Sequence, residues 1–449
     1  MNRKILGAKL KERRKEIKES MESLADEFIS AATIGNIERG LPNVTEEKME
    51  YYAKKIGMSG ELFGIISEAE KKEKELEAEL LYLEDIISAD IDNSLHRLEG
   101  EWSFLKRDSR LSALYHYLLG RCYFGKRKKN NDIMLRKAEK HFSEVLRLLE
   151  KSPELSDSNL QAASLNEQGR IYYHLLDIEK ALEHTENGIK AFREDGKRQE
   201  NIYFLLLNKA NYLEQLNRDE LALKTLEQLW ERLSVIDGTK VLTLIGLDAI
   251  LQMYVIFAGV LTKSKHYKSA LEFADEGVRI ARINGKFDKL VSLWITIGEI
   301  YESMNDTIEA EKYYFQALSI REKVEDQDIF YALTNLGKLY IAKQEYEKSH
   351  SFISEAFLIS ENNRDELAML DSLILLGNCY HEQKQYQKAI NPLQKAFELA
   401  KKYKLIKKQH EVILGLCYGY KKIEDHTSYM QCLEKMFELQ ANMKWGIQV

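Results

Sequence analysis

The sequence predicts an all-α protein in two parts, a small N-terminal helical domain followed by a long solenoid of stacked helix pairs. Three observations carry this. From Leu111 to Leu439 a small residue is followed three positions later by a large one, usually Tyr, and nine positions after that by another small one. The chain has only 3 prolines in 449 residues, as a nearly continuous run of helices requires. Charge is also uneven: residues 1–60 hold 12 Lys/Arg against 10 Asp/Glu, a net of +2, so the remainder of a chain at −6 carries −8. A nucleic-acid partner therefore belongs at the N-terminal end.

Arg3 to Lys18 places Ile5, Leu6, Leu10 and Ile17 on one side of a helix with 8 Lys/Arg among the first 18 positions. Ser20 is a candidate N-cap for a second helix, Met21 to Phe28. Ser30 to Arg39 reads as a third, stopped by Gly40 and Pro42. Asn43 with Glu46 suggests a capping box for a fourth, Val44 to Ile56, which Gly57 ends. Short helices with a tight link between the second and third suggest a helix-turn-helix over residues 1–65. Glu61 to Ile86 is a charged linker helix, and Asp90 to Leu105 opens an atypical first helix pair, so that residues 66–104 join the head to an array over 105–449.

In that array the repeat recurs every 38 to 49 residues. Its members are Gly169, Tyr172 and Ala181; Ala210, Leu213 and Ala222; Ala258, Leu261 and Ala270; Gly298, Tyr301 and Ala310; Gly337, Tyr340 and Ser349; Gly377, Tyr380 and Ala389. Gly120, Tyr123 and Ala138 open the series, and Gly415, Tyr418 and Thr427 close it. Residues i and i+3 share a helix face, and paired small residues let two antiparallel helices approach closely. Each pair buries its apolar face only by stacking on its neighbours. Pro392 falls inside a second helix, where it should kink or break it.

These spacings resemble a tetratricopeptide array with repeats longer than usual, which implies a right-handed superhelix whose concave face binds extended peptides. On that likeness, residues one and four after the small position, and two or three before it, face inward: Arg121, Asn166, Arg170, Asn208, Asn211, Glu214, Glu299, Glu302, Asn335, Lys338, Asn378 and His381. Asparagine suits such a face because one carboxamide both donates to and accepts from a peptide unit. Arg170 and Lys338 would hold a carboxylate, Glu299 and Glu302 a basic group.

The head, from Leu24-Ala25 through Ile34 to Ile37-Glu38-Arg39-Gly40, resembles the lambda-repressor-like DNA-binding domain. The likeness implies an Arg14–Glu38 pair, a core containing Ile34 and Ile37, and DNA contacts from Lys9, Lys11, Ser30, Ala31, Ala32, Thr33, Asn36 and Arg39. It departs from the family in a spacing one residue short from Leu24 to Ile34, in lacking the turn glycine, and in having Met21 or Glu22 where a DNA-contacting glutamine is usual. Alanines at 31 and 32 make no bidentate base contacts, which leaves room for indirect readout.

Head and array together resemble the Rap–NprR–PlcR–PrgX family of peptide-pheromone regulators, most of all its NprR branch. The resemblance implies a homo-oligomeric cytoplasmic transcription regulator that binds a DNA operator and is switched by a short signalling peptide. Two alternatives remain open: a module that sequesters or dephosphorylates a response regulator, and an element-encoded repressor whose array only dimerises. No cofactor, metal or membrane partner is expected. The 4 cysteines (Cys122, Cys379, Cys417, Cys432) show no C-x-x-C spacing and suit a reducing compartment. The N-terminus is not a signal peptide, and Val241 to Val260 is interrupted by polar residues. Enzyme motifs (Walker loop, G-x-G-x-x-G, H-E-x-x-H, G-x-S-x-G) are missing, so no catalysis is expected.

Overall fold

A computed structural model describes residues 3–41, 44–58, 61–100, 111–127, 132–152, 157–236 and 238–445. Among these the regular structure is helical throughout, and no strand occurs. The chain divides into two compact units, Met1–Cys122 and Tyr123–Val449.

The first unit begins with α1 (Arg3–Glu16), α2 (Ala31–Glu38) and α3 (Glu46–Lys55). They enclose a core of Leu6, Leu10, Ile29, Ile34, Ile37, Met49 and Tyr52. α1 crosses α2 at Gly7, where a Cβ would lie 2.3 Å from the Ile37 carbonyl oxygen. The expected ion pair forms: Arg14 Nε and Nη2 donate to the two Glu38 oxygens at 2.6 and 3.0 Å, and the Tyr52 hydroxyl donates to Glu38 at 2.7 Å. Burial works against the Glu38 charge, but the bonds from Arg14 and Tyr52 outweigh it and hold its carboxyl below the usual range. Then come α4 (Glu61–Ile86) and α5 (Ile91–Gly100).

Two expectations for this unit fail. The second helix does not form; residues 21–24 make only a turn. Side chains compete with the helical ladder there. Ser20 Oγ accepts from the Ser23 amide at 3.0 Å, and Asp26 Oδ1 accepts from the Phe28 and Ile29 amides at 3.0 and 2.9 Å. Asp26 is itself tied to Lys55 and to the Tyr51 hydroxyl. α3 is capped by Thr45, whose hydroxyl accepts from the Lys48 amide at 3.4 Å, not by Asn43; Asn43 and Pro42 lie outside the described residues. Ser30 does cap α2, and Gly40 and Gly57 take positive φ just beyond α2 and α3.

α6 (Ser112–Gly125) carries the chain into the second unit, followed by α7 (Ile133–Lys151), α8 (Leu160–His174), α9 (Ile178–Ala191), α10 (Asn201–Gln215) and α11 (Asp219–Ser234). The short α12 (Gly238–Ile245) precedes α13 (Leu247–Lys263), α14 (Tyr267–Ile283), α15 (Phe287–Ser303) and α16 (Thr307–Leu318). α17 (Asp326–Ala342), α18 (Tyr346–Asn362), α19 (Glu366–Glu382), α20 (Tyr386–Lys402), α21 (Ile406–Lys422) and α22 (His426–Trp445) complete it. From α13 on, the helices pack on their sequence neighbours and the first helices of successive pairs on one another, as a solenoid requires.

The repeat residues act as the spacing predicts. A Cβ on Gly298, Gly337 or Gly377 would meet Tyr314, Ile353 or Leu393 at 2.4, 2.7 and 2.5 Å, each four residues beyond the second small residue. Ser349 Oγ donates to the Gly337 carbonyl at 2.9 Å, so the two small residues touch. The helices of a pair are joined by three residues whose middle member is left-handed: Leu176, Asn217, Lys265, Asn305, Gln344, Lys384 and Glu424, with φ between 56° and 64°. In the first six of these repeats the left-handed residue lies seven positions after the small one.

That rule corrects the last repeat. Glu424 places the small position at Cys417, not Gly415, and the large one at Tyr420, not Tyr418. Cys417 and Tyr420 are buried, whereas Tyr418 is 46% exposed. Tyr429 then stands where Thr427 was expected. α20 also runs unbroken through Pro392, so the predicted break does not occur.

Candidate ligand-binding groove

The first helix of each pair turns one polar face inward, and the structure connects many of the residues expected there. Asn208 Nδ2 donates to Asn166 Oδ1 at 2.8 Å, between α10 and α8. Asn211 hydrogen-bonds the Tyr173 hydroxyl. Between α17 and α15, Asn335 Nδ2 donates to Glu299 Oε1 at 3.0 Å and Lys338 Nζ to Asn335 Oδ1 at 3.3 Å. Glu302 accepts from the Tyr314 hydroxyl at 2.8 Å, and Glu214 pairs with Lys263. Asn378 is exposed. His381 packs its ring on Tyr418, centroids 5.4 Å apart, and buries an unpaired Nε2 beside Gly419. Arg121 belongs to the first unit, where it donates to Ser88 at 3.3 Å.

Charge is segregated along this face. At one end, Arg170 grips both Glu167 oxygens at 2.9 Å. Its guanidinium and that of Arg127 both lie over the Phe124 ring, at 4.5 and 4.3 Å. Burial and then the nearby Arg170 push the Arg127 pKa down. Burial, with Arg127 and Arg170, pushes His174 down to about 4, which keeps it neutral. Two guanidiniums with one carboxylate between them leave that end cationic.

Further on, Glu214, Glu299 and Glu302 gather. Water reaches Glu299, yet the surrounding protein hydrates its charge poorly, and this raises its carboxyl despite Asn335 and Lys338. Tyr331 of α17 is 60% exposed, but surrounding protein, then Asp371, Tyr173, Asp365 and Glu299, raise its hydroxyl pKa.

The sequence reading missed Tyr331, Arg127, Glu167, Tyr173 and His174. Tyr331 lies four positions before Asn335 and seven before Lys338, on the same face of α17, and carrying the inward positions back by one turn would have found it. Of the head candidates, Ala32, Lys11 and Arg39 are exposed and Lys9 half-buried. Ser30 and Thr33 share a hydroxyl hydrogen bond of 2.8 Å, and Arg39 Nη2 donates to Asn36 Oδ1 at 2.7 Å. Ala31 occupies the first turn of α2.

Residues 291–324 and 328–402 match the tetratricopeptide repeat family. These segments are tetratricopeptide repeats. No curated protein matches the sequence. Among solved structures, the apo form of the quorum sensor NprR from B. thuringiensis is similar at TM-score 0.58 and 16% identity, over 82% of this chain and 99% of that one. A Rap protein complexed with competence and sporulation factor matches at 0.57 and 15%, over 82% and 98%. NprR in complex with its cognate peptide NprX matches at 0.52 and 15%, over 83% and 94%. At such identities the likeness establishes the tetratricopeptide superhelical fold. Among the described residues no helix is long and apolar enough to cross a membrane.

Proposed function

We propose that this chain is a cytoplasmic, non-catalytic transcription regulator whose tetratricopeptide groove binds a short signalling peptide and whose N-terminal head binds an operator as a homo-oligomer. The observation that carries the reading is the inner face itself. Carboxamides on four of the repeats (Asn166, Asn208, Asn211, Asn335, Asn378) can satisfy the amides and carbonyls of an extended chain. The cationic end suits a carboxylate, and Glu299 and Glu302 suit a basic group. The fold is shared with a Rap protein complexed with competence and sporulation factor and with NprR in complex with its cognate peptide. For the head the support is its net positive charge and the polar row Ser30, Thr33, Asn36 and Arg39 on α2.

The test is selection of heptapeptides on the full-length chain, followed by calorimetric titration of the selected peptide. Asn211→Ala and Asn378→Ala should each weaken it about tenfold, the scale of one buried group left unpaired, while operator selection from random duplex proceeds unchanged. Wild-type affinity in both variants would remove the groove as the ligand site. One observation favours a second reading of the head: with residues 21–24 only a turn, and an exposed Phe28 tilted against Tyr51 with centroids 4.8 Å apart, it would serve protein contact. Failure to enrich any duplex would select that reading.

A further inference from the structure

The groove has a side pocket that the repeat spacing gives no hint of. It is a cavity of about 380 Å³ at the start of α17 and α19, lined by Phe330, Tyr331, Ile359, Ala368, Asp328 and Asp371, with Asp365 at its edge. Phe330 and Ile359 are buried in the core beneath it, whereas the Tyr331 ring is 60% exposed. An open aromatic face above an apolar floor is an unusual surface in an otherwise polar groove. Its rim is anionic. Asp371 pairs with Lys408 at 3.2 Å, and Lys408 is shared with Glu411 at 3.5 Å. Asp328 Oδ2 accepts from the Glu325 amide at 3.1 Å. Burial first, then the charges of Asp288 and Glu325, raises the Asp328 carboxyl against the Glu325 amide and Lys289. Tyr331 lies one helical turn before Asn335 and two before Lys338 on α17, so the pocket opens on the helix face that carries those two groove residues.

Resting on the peptide reading above, we infer that this pocket takes a lysine or arginine side chain of the bound peptide, its aliphatic stem on Phe330 and Ile359 and its charge between the Tyr331 ring and Asp328. A cation over an aromatic face is attracted by the ring quadrupole, and long basic side chains bury their methylenes while keeping the charged head beside anions. An uncharged apolar side chain would fit the floor but bring no charge to Asp328. The pocket therefore discriminates by charge as well as by size.

The test uses the full-length chain and positional-scanning heptapeptide mixtures in which each position is fixed in turn as Lys, Arg or the uncharged norleucine. At one position Lys or Arg should bind roughly fivefold better than norleucine, the scale of one cation–π contact of about 1 kcal/mol. The preference should vanish in Tyr331→Ser, survive in Tyr331→Phe, and shrink in Asp328→Asn, which can still accept from the Glu325 amide. Arg170→Gln, at the other end of the groove, should change the acidic preference and leave the basic one intact. A wild-type chain that binds the mixtures without any basic preference, or a Tyr331→Ser chain that keeps it, overturns this assignment and leaves the groove standing. Binding of no mixture at all overturns both.

Discussion

The head and the array solve the same packing problem with opposite means. In the head, three short helices meet around one buried charged cluster, Arg14, Glu38 and Tyr52. In the array, no single contact matters so much; the same small-against-large contact returns in pair after pair. A small domain has little apolar area to bury, so one polar cluster can fix its geometry. A solenoid adds nearly equal increments along its length. The difference teaches where each part is fragile: the head at a point, the array at its interfaces.

The largest expected effect separates the two parts. Glu38→Gln leaves the Arg14 charge buried without its partner and should cost the head about 3–5 kcal/mol. Amide hydrogen exchange read by mass spectrometry should show faster exchange across α1 to α3 and unchanged protection in α13 to α21. Acid should draw the same line. Glu38 is held below its ordinary 4.5 by Arg14 and Tyr52 against burial, and Asp26 is held low by Lys55 and Tyr51. A carboxylate depressed on folding adds stability above its unfolded pKa and loses it as pH falls through the folded value. In the array Glu299 and Asp328 are raised instead, so protonation relieves them, and the depressed carboxylates Glu194, Glu276 and Glu311 are scattered over separate repeats. On acidification below about 4.5 the head should open first. Simultaneous opening of both parts would mean the cluster is not what holds the head.

Within the array the effects are smaller and local. A Cβ on Gly377 would sit 2.5 Å from Leu393, which is 1% exposed and cannot retreat. Gly377→Leu should therefore cost about 1–3 kcal/mol. A Cβ added at Gly259 would have nothing within 4 Å of it, and Gly259→Ala should stabilise by about 0.5–1 kcal/mol through the unfolded state and helix propensity. Glu382→Leu, at an exposed site, should change little. Calorimetric melting of all three checks the order, and equal shifts at Gly377 and Gly259 would undo the assigned register.

How much of this was legible follows from what marks a position chemically. Small residues at helix contacts left a clear trace from Gly169 to Ala389, because a large side chain there collides. The Arg14–Glu38 pair was legible only through the head's likeness to a known family. The last repeat misled, because Gly415 and Tyr418 imitate the pattern two residues early. The left-handed turn residue would have exposed the error, but it is glycine in none of the seven turns and asparagine in only two, Asn217 and Asn305. The missing second helix of the head was hidden for a related reason: Ser20 and Asp26 cap turns as readily as helices. The Tyr331 pocket was invisible because it forms where three consecutive helices, α17, α18 and α19, meet, and no periodicity within one helix reports such a meeting.

The smallest effect tests how the repeats hold one another. Each large repeat residue reaches back to the residue just after the second small position of the preceding pair. Where it is Tyr172, Tyr340 or Tyr380, that residue is polar. Tyr172 donates to Glu139 at 2.6 Å, Tyr340 to Glu311, and Tyr380 shares a 3.1 Å hydrogen bond with His350. Where it is Leu213 or Leu261, the facing residue is Leu182 or Leu223, in one apolar cluster. Tyr301 and Tyr420 break the rule, since the corresponding residues are Leu271 and Ile390; the Tyr420 hydroxyl accepts from Gln394 instead. Tyr340→Phe keeps the ring and removes the hydroxyl, while Glu311 retains Lys343, so the loss should be about 1 kcal/mol. In a chain of nearest-neighbour interfaces, weakening one should also broaden the melting transition of the array. Tyr301→Phe, with no carboxylate to lose at that position, should melt as the parent does. Equal losses at both sites would show that ring packing, and not the hydroxyl bond, joins one repeat to the next.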